Sequence, residues 1–598
     1  MKIVIFHCFS YHFLPFTLLP HVVLRIIMSP INLLRFLLGF TLLIGGCTQT
    51  SLHTGSLKAP SPVGKPPSGP SAQADVYYDY LAAQHDLRSN QIGEAIEAYT
   101  KALKLDPHSP ILLTELATLN IRQGKIDAAL KLAEDAIKHD PNYQTAYMLL
   151  GQIYAGLGQN RKAITAYEQA IKIDPSSEDA YLLLGTLYAQ EGRFAEAMET
   201  FEKLRALLPD NPVALQYKAR VFLEMKFYDQ AESIYQEVLS LDPTFESALL
   251  DLAYIYEVTD RAQEAEKTYQ RILSFNPSSI LAHTRLGNLF MHEGKYGDAL
   301  QQFGQLLKLN RKDVESRLKI GFIHLQQKKY EEAIEDFARL LKDQPQYDQA
   351  LYYLGSAYEE KGDSQQAIVN FRLISPNSTL WIPAQIRLAL VFARMKDYRS
   401  GAEVLQEAIV KQPDQADFYL YLGVLFEEQK LYEDAIRALD KGIEKTPQDA
   451  GILLRKGIIL DKMNRKKEAI EIMHKILEIE PQNANALNYI GYTYAETGAN
   501  LIEARRLISS ALELEPKDGY ILDSMAWVHY KMGQHKKALG YILEAVKVVP
   551  QDPVIQEHLG DIYLSLGKKS KAVEAYQKAL EYQHTESEKI KEKLQKIQ

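Results

Sequence analysis

Proline recurs at a fixed spacing through most of this chain, and this spacing constrains the fold more than any other feature. Successive prolines lie 34 residues apart, and the series is interrupted only at Arg311 and Thr379. One extra residue then shifts the register to Pro516 and Pro550. A period held this long predicts a row of copies of one structural unit, not several globular domains. The prolines of the first register are Pro107, Pro141, Pro175, Pro209, Pro243, Pro277, Pro345, Pro413, Pro447 and Pro481.

Residues 144–177 show what one copy contains. Two runs of apolar residues at helical spacing predict two short amphipathic helices. Gly158 ends the first helix, and Asp174-Pro175 ends the second because proline lacks an amide and its ring collides with the preceding turn. Neither helix has enough apolar surface to fold alone, so each must pack against a neighbouring copy. The apolar residues are Leu149, Leu150, Ile153 and Tyr154 in the first helix, and Ala163, Ile164, Tyr167, Ala170 and Ile171 in the second.

Two columns of small residues run through the copies, one in each helix. Such columns predict helix crossings that are too close for a larger side chain. The column twelve residues before each stop is Ala95, Ala129, Ala163, Ala197, Ala231, Ala265, Ala299, Ala333, Ala367, Gly401, Ala435, Ala469, Ala504 and Ala538, and Ala572 continues it. The column twelve residues further upstream is Ala83, Ala117, Gly151, Gly185, Ala219, Ala253, Gly287, Gly321, Gly355, Ala389, Gly423, Gly457, Gly491, Ala526 and Gly560.

With these stops and columns, residues 76–586 resemble the tetratricopeptide repeat (TPR) family, whose unit is a 34-residue helix–turn–helix. The resemblance covers about fifteen repeats. It implies an all-α fold, an α-solenoid that winds into a right-handed superhelix with a concave groove lined mainly by the first helices. It also implies binding of protein or peptide segments in that groove, without identifying them.

The charge balance disfavours a nucleic-acid partner. Residues 1–47 contain Lys2, Arg25 and Arg35 and no acidic residue, which leaves the rest of the chain with 65 basic and 76 acidic side chains. Nucleic-acid binding requires a basic surface. The two cysteines, Cys8 and Cys47, lie outside the repeats, so we expect no disulfide or thiolate metal site there.

Residues 28–47 have the parts of a secretory leader. Arg35 supplies the positive charge, residues 36–44 are apolar, and Gly45-Gly46 precede Cys47. Residues 44–47 resemble the bacterial lipobox, which implies cleavage before Cys47 and lipid attachment to it. The membrane would then be contacted through this anchor only. Thr48 follows where an aspartate would retain the lipoprotein at the inner membrane, which implies the outer membrane, facing the periplasm.

An uncleaved apolar anchor with an incidental cysteine is the alternative to a lipoprotein. Residues 1–27 do not resemble a membrane span because Pro15 and Pro20 interrupt them, and Met28 is an alternative translation start. We therefore assign residues 1–46 to a leader and residues 47–75 to the lipidated cysteine and a Pro/Gly/Ser-rich tether. Residues 587–598 are charged and predict a capping helix that covers the last repeat.

Two repeats are irregular. In repeat 9, Ser375-Pro376 comes before the expected stop and shortens the second helix by about one turn. This predicts a change of superhelical pitch near residues 375–383, unless the repeat has simply decayed without consequence. Repeat 13 has its extra residue in the turn at 497–501.

The groove of repeats 13 and 14 contains the main candidate binding residues. In this family the groove positions are roughly the second, fifth, ninth, twelfth and thirteenth of each repeat. They place an amide, a carboxylate and aromatic rings on one wall, where they would hold an extended peptide. The alternative is that Tyr492 and Trp527 only pack between helices. The candidates are Asn488, Tyr492, Tyr520, Asp523, Trp527 and Tyr530.

A second, weaker candidate is an acidic strip in repeats 9, 11 and 12, which would suit a basic segment. A solvated polar face is the alternative explanation. The strip comprises Glu359, Glu360, Glu427, Glu428 and Asp461.

Two known groove chemistries of the family are not matched. The carboxylate-clamping type needs lysines, whereas Asn288 stands between Thr284 and His292. The asparagine ladder of sugar-transferase arrays is absent because the sixth positions begin with Leu81, Glu115, Leu149, Leu183 and Tyr217.

The sequence also contains no catalytic or phosphate-binding motif. We therefore expect no enzyme activity, no metal and no cofactor.

These features favour a lipid-anchored scaffold of the bacterial envelope that assists a secretion, pilus or exopolysaccharide-export machine. Residues 487–533 also resemble a block found in bacterial envelope repeat proteins. One alternative is an accessory subunit or relative of a transferase acting on glycans or peptidoglycan, because groove tyrosines could stack on sugars. Another is a cytosolic TPR adaptor whose leader is not used.

Overall fold

The computed structural model describes residues 70–584 and 586–597, and this part of the chain contains helices and no β-strand. Most helices are 13 or 14 residues long, and short turns join them. The helices are α1 (Pro70–Arg88), α2 (Ile92–Leu105), α3 (Pro110–Arg122), α4 (Ile126–His139), α5 (Gln144–Gly156), α6 (Asn160–Ile173), α7 (Glu178–Gln190), α8 (Phe194–Leu207), α9 (Pro212–Glu224), α10 (Tyr228–Leu241), α11 (Glu246–Val258), α12 (Ala262–Phe275), α13 (Ile280–His292), α14 (Tyr296–Leu309), α15 (Val314–Gln326), α16 (Tyr330–Asp343), α17 (Asp348–Lys361), α18 (Ser364–Arg372), α19 (Trp381–Arg394), α20 (Tyr398–Lys411), α21 (Ala416–Glu428), α22 (Tyr432–Lys445), α23 (Ala450–Lys462), α24 (Lys466–Ile479), α25 (Ala484–Thr497), α26 (Leu501–Leu514), α27 (Gly519–Lys531), α28 (His535–Val548), α29 (Pro553–Ser565), α30 (Lys569–Glu581) and α31 (Ser587–Gln595).

Within residues 70–309 and within residues 348–581, consecutive helices pair into repeats, each with a first and a second helix, and each pair packs against the next. The close crossing predicted by the small-residue columns is visible in the repeat formed by α5 and α6. A Cβ atom added at Gly151 would clash with the Tyr167 ring, which is itself buried. The predicted all-α fold of helix–turn–helix repeats is confirmed.

The turn inside each repeat depends on one residue in the left-handed region. Gly158 has a φ of +69°, and its counterpart Lys430 has a φ of +60°. This conformation costs little for glycine and about 1–2 kcal/mol for other L-residues. Repeats with lysine in this turn therefore hold their backbone there at some cost.

The repeats fall into two compact units, whose boundary lies between residues 323 and 324 inside α15. In the unit that ends at Ile323, apolar cores follow one another from repeat to repeat. In the unit that begins at His324, one core extends from Leu351 to Ala438, and the next continues from Ala435 to Val528. Each unit therefore has apolar cores of its own.

Repeat 9 has a shortened second helix, as its early proline predicts. Helix α18 has nine residues, where most second helices have 14. Trp381 begins α19 and is buried against Phe418, with the two ring centroids 5.8 Å apart. The core is therefore continuous through residues 375–383, and the boundary between the compact units lies elsewhere. The change of pitch stays a prediction.

The extra residue of repeat 13 is accommodated in its turn. Gly498 ends α25 with a φ of +73°, and Asn500 is also left-handed with a φ of +46°. Asn500 caps α26, because its side chain accepts a hydrogen bond from the Glu503 amide at 3.4 Å. Two left-handed residues in one turn absorb the insertion without disturbing either helix.

At the amino-terminal end of the repeats, α1 begins at Pro70, within the segment predicted as tether. Proline is well accommodated in the first turn of a helix, and residues 71–75 include no helix breaker. The leader, Cys47 and the rest of the tether lie outside the described residues. In the described part of the chain, no helix has both the length and the apolar character needed to cross a bilayer.

Candidate protein-binding surface

Helices α25, α27 and α29 are the first helices of repeats 13, 14 and 15, and the candidate residues lie on them. Side-chain caps fix where each helix begins. Asn483 Oδ1 accepts from the Ala486 amide at 3.0 Å, and Asp518 Oδ1 accepts from the Tyr520 amide at 2.8 Å. Asp552 caps α29 in the same way. These caps stabilise the first turn of each of the three helices.

Aromatic side chains from these three helices meet around His558 of α29. The Trp527 ring stacks on the His558 ring with centroids 4.0 Å apart and planes 17° apart. Trp527 also stacks on Tyr530, at 4.9 Å, and Tyr492 lies 6.3 Å from the His558 ring. We call Tyr492, Trp527, Tyr530 and His558 the aromatic cluster. It joins three successive repeats, and Tyr530 is its half-buried member.

A buried hydrogen bond supports this cluster. His558 Nδ1 lies 2.8 Å from Asp523 Oδ1, and the two side chains are only 6% and 1% exposed. Asp523 thereby ties α27 to α29 and fixes the plane of the imidazole against which Trp527 stacks. Burial, followed by the charge of Asp523, raises the pKa of Tyr492, so its hydroxyl stays protonated.

The structure therefore brings four of the six predicted groove residues together: Tyr492, Asp523, Trp527 and Tyr530. Tyr520 lies half-buried at the start of α27. Asn488 is also half-buried, and its Oδ1 atom has no hydrogen-bond partner among the described residues. Tyr492 and Trp527 are only 4% and 9% exposed, so both rings pack between helices, and their role in binding stays a prediction.

Sequence reasoning missed the contribution of repeat 15. His558, at its sixth position, is the centre of the aromatic cluster. Glu557 and Asp561, at its fifth and ninth positions, both contact Lys593 of α31. The same groove register, extended by one repeat, identifies Glu557 and Asp561, whereas His558 lies outside it.

The acidic strip is not a single solvated face. Glu359 is buried and pairs with Arg387 at 2.7 Å and with Arg394 at 3.0 Å. Glu359 is buried and paired because the repeat register places the twelfth residue of one first helix opposite the sixth residue of the next. Only Glu360 and Glu428 are exposed.

The other two buried acids of the strip follow the same pattern. Glu427 pairs with Arg455 at 2.9 Å and with Lys462 at 2.5 Å. Asp461 accepts a hydrogen bond from Tyr489 Oη at 2.9 Å. These carboxylates therefore stabilise the stacking of repeats, and the expectation of a solvated face fails for Glu359, Glu427 and Asp461.

The described residues contain no group of three or more histidine, cysteine, aspartate or glutamate side chains placed to hold a metal ion. The titratable side chains at the candidate surface are engaged in contacts between repeats, as the pair of Asp523 and His558 shows. The aromatic cluster and the adjoining amide and carboxylate groups are mostly buried, and Tyr530 is its half-buried member.

Comparison with known proteins agrees with the repeat register. Models described as tetratricopeptide repeat match residues 86–166, 148–212, 349–375, 386–450, 450–483 and 524–585. A model of the C-terminal ARM domain of tetratricopeptide repeat protein 21 matches residues 243–351.

One curated relative and two solved structures are similar to parts of this chain or to most of it. A TPR repeat-containing protein of Pseudomonas aeruginosa is 26% identical over 215 residues, which is 36% of this chain and 36% of that protein. The match thus spans about a third of the relative's length. A tetratricopeptide repeat protein from Parabacteroides merdae has a TM-score of 0.34 and 18% identity, covering 42% of this chain and 98% of that one. The Naa15/Naa10 structure bound to HypK-THB has a TM-score of 0.32 and 14% identity, covering 87% and 96%.

The chain belongs to the tetratricopeptide repeat family. Repeats of this family indicate a protein–protein interaction scaffold, and TPR proteins are generally non-catalytic.

Proposed function

We propose that this protein is a non-enzymatic scaffold of a bacterial cell envelope, which holds segments of other envelope proteins and assists the assembly or stability of a secretion, pilus or exopolysaccharide-export machine. The observation that supports the binding role is the aromatic cluster, which joins three successive first helices around His558. Aromatic anchors supported by a rigid frame are the usual source of binding energy at protein interfaces.

The polar atoms beside the aromatic cluster suit an extended peptide. Among the described residues, Trp527 Nε1 and Asn488 Oδ1 have no hydrogen-bond partner. Both atoms are buried, so a peptide would reach them only after the surrounding side chains rearrange; the indole N–H would then donate to a peptide carbonyl, and the amide oxygen would accept from a peptide N–H. The half-buried rings of Tyr520 and Tyr530 would cover an apolar side chain between these two points.

A protein segment fits this surface better than a sugar. Stacking of a sugar needs a free aromatic face, but the Trp527 ring already contacts His558, Tyr530 and the Lys531 ammonium, which lies 5.1 Å from its centroid. The glycan alternative therefore has less support than peptide binding.

The proposed location rests on the amino-terminal sequence. Lipid attachment at Cys47 would anchor the chain in the outer membrane, and the Pro/Gly/Ser-rich tether would hold the repeats away from the bilayer on the periplasmic side. The test is the intact mass and fractionation of the wild type beside Cys47→Ser in a Gram-negative host. We expect the wild type to begin at Cys47, carry acyl mass and sediment with the outer membrane. Unprocessed wild type in the soluble fraction would overturn the anchor and favour the cytosolic adaptor.

The binding role is tested separately, by affinity purification from envelope extracts. We expect a reproducible partner with the wild type, and loss of that partner with Trp527→Ala and with the milder Tyr530→Ala. His474→Ala, at an exposed position of α24, is the matched control and should retain the partner. Recovery of the same proteins by all variants would contradict the proposed surface.

A further inference from the structure

The last helix, α31, is held to the array by charge and by a small apolar contact, in which Leu594 packs beside Ile590. Ile590 is its one fully buried residue. Several charged residues of α31 pair with one another within the helix, as Lys591 does with Glu588 at 2.7 Å. Helix α30 beside it buries far more apolar surface, through Ala572, Ala575, Tyr576 and Ala579.

Lys593 of α31 lies in a site that suits an ammonium group. Its Nζ atom is 2.7 Å from Glu557 Oε1 and 2.7 Å from Asp561 Oδ2. Tyr576 Oη donates to Asp561 Oδ1 at 2.6 Å, and the Tyr576 ring centroid lies 5.6 Å from Nζ. Two carboxylates and one aromatic ring around a cation form a built site, in which charge and ring face both favour lysine.

The two carboxylates of this site occupy repeat positions that line the groove in this family. Glu557 and Asp561 are the fifth and ninth residues of repeat 15, which correspond to Asp523 and Trp527 in repeat 14. Lys593 therefore lies on positions that line the groove in this family, and α31 covers them.

We propose that Glu557, Asp561 and Tyr576 form a docking site for a lysine-bearing amphipathic helix of a partner protein, and that α31 occupies this site in the free chain. The contacts of α31 define the pattern of the partner helix: an apolar residue in the place of Ile590 and a lysine three residues later. Residues three apart share one face of a helix, so both reach the site together. This surface is distinct from the aromatic cluster.

Helix α31 is suited to being displaced. It has nine residues, and helices this short are marginal without packing. Five residues, 582–586, connect it to α30. A longer partner helix with the same pattern and more apolar residues would bind in its place, and α31 would lower the apparent affinity until it is displaced.

The test uses the full chain and a fluorescently labelled synthetic peptide of residues 586–598 as the probe. The double variant Ile590→Asp/Lys593→Glu releases α31 from the site, and Lys593→Gln is a milder variant that keeps Ile590. Circular dichroism establishes that each variant retains its helices. We expect the probe to bind the released variants at least about tenfold more tightly than the wild type, because the site is then vacant.

Two controls assign the binding to this site. A probe carrying Lys593→Glu should lose binding, whereas one carrying Lys591→Glu, at an exposed position, should bind nearly as well as the unmodified probe. Glu557→Gln and Asp561→Asn, added to a released variant, should return binding to the wild-type level.

Equal binding to wild type and released variants would overturn the proposal, as would equal binding of the Lys593→Glu probe. Light scattering that shows dimers of the released variants, without probe binding, would assign the site to a second copy and would also overturn it.

Discussion

Asp523 and His558 connect two successive repeats through a hydrogen bond of 2.8 Å between buried side chains. The bond fixes the imidazole on which Trp527 stacks, so the aromatic cluster depends on a contact between two residues that are 35 positions apart in sequence. Stacking of the repeats therefore also assembles the aromatic cluster that we propose as a binding site.

The Asp523–His558 bond predicts a loss of stability when His558 is removed. His558→Ala leaves the Asp523 carboxylate buried without its donor, which costs about 1–3 kcal/mol. Urea unfolding followed by circular dichroism measures this change. His474→Ala removes an exposed histidine from α24 and should change stability by no more than about 0.5 kcal/mol. Equal effects of the two substitutions would contradict the role of this bond.

Alanine substitutions of two neighbouring glutamates at the end of α17 should differ sharply in their effect on stability. Glu359→Ala leaves the two arginines that it pairs with, Arg387 and Arg394, without this carboxylate. Breaking a buried ion pair by removing one partner costs about 3–5 kcal/mol. Glu360→Ala is the matched control, since its side chain is exposed and its distance to Arg387 is 3.9 Å. Hydrogen exchange of α17 and α19 measures the effect, and similar exchange in both variants would argue against a stabilising role for Glu359.

Two glycines in the same part of the array should respond to alanine in opposite directions. At Gly491, an added Cβ would lie 2.9 Å from the Ala504 carbonyl oxygen, so Gly491→Ala forces the two helices apart and should cost about 1–3 kcal/mol. At Gly540, an added Cβ meets nothing within 4 Å. Gly540→Ala should therefore stabilise α28 by up to about 1 kcal/mol, because alanine favours helix. Thermal unfolding of the two variants tests this, and stabilisation by both would show that the crossing is not tight.

The lowered pKa of Glu557 predicts that the stability of the carboxyl-terminal end of the array depends on pH. Burial alone would raise its pKa, but hydrogen bonds with His584 and Lys593 lower it well below the ordinary value. The unfolded chain thus binds a proton first as the pH falls through about 4.3, so the stabilisation is complete above that pH and declines below it.

We therefore expect wild type and Glu557→Gln to differ most in thermal midpoint near pH 7 and to converge as the pH falls below about 4. Glu586→Gln, which changes an exposed glutamate, is the control and should show little difference from wild type at either pH. A difference between wild type and Glu557→Gln that does not change with pH would contradict the lowered pKa.

The repeat fold was predictable because it follows from local rules applied many times. The prolines, the small-residue columns and the glycine turns each specify a backbone feature, so Gly151 and Pro175 already define one repeat. The ion pairs of Glu359 and Glu427 were not predictable in the same way, because they depend on which side chain of the next first helix faces each carboxylate.

The candidate surface was predictable only as far as the groove register was applied. The register identified Asp523 and Trp527, but it does not include the sixth position, where His558 lies. Lys593 was missed for another reason. The charged sequence of the terminal helix predicts a solvated cap, and nothing in that sequence indicates that one of its lysines contacts two carboxylates.

The most direct test of the central claim is photo-crosslinking in cells, with a benzophenone amino acid placed at Tyr530 or at Val410. Tyr530 belongs to the aromatic cluster, whereas the Val410 side chain is 83% exposed and lies on a second helix. We predict a discrete crosslink to a protein segment from position 530 and none of that size from position 410. Crosslinks that are identical at both positions, or absent at 530 in cells that express the whole envelope machinery, would contradict a protein-binding surface in repeats 13 to 15.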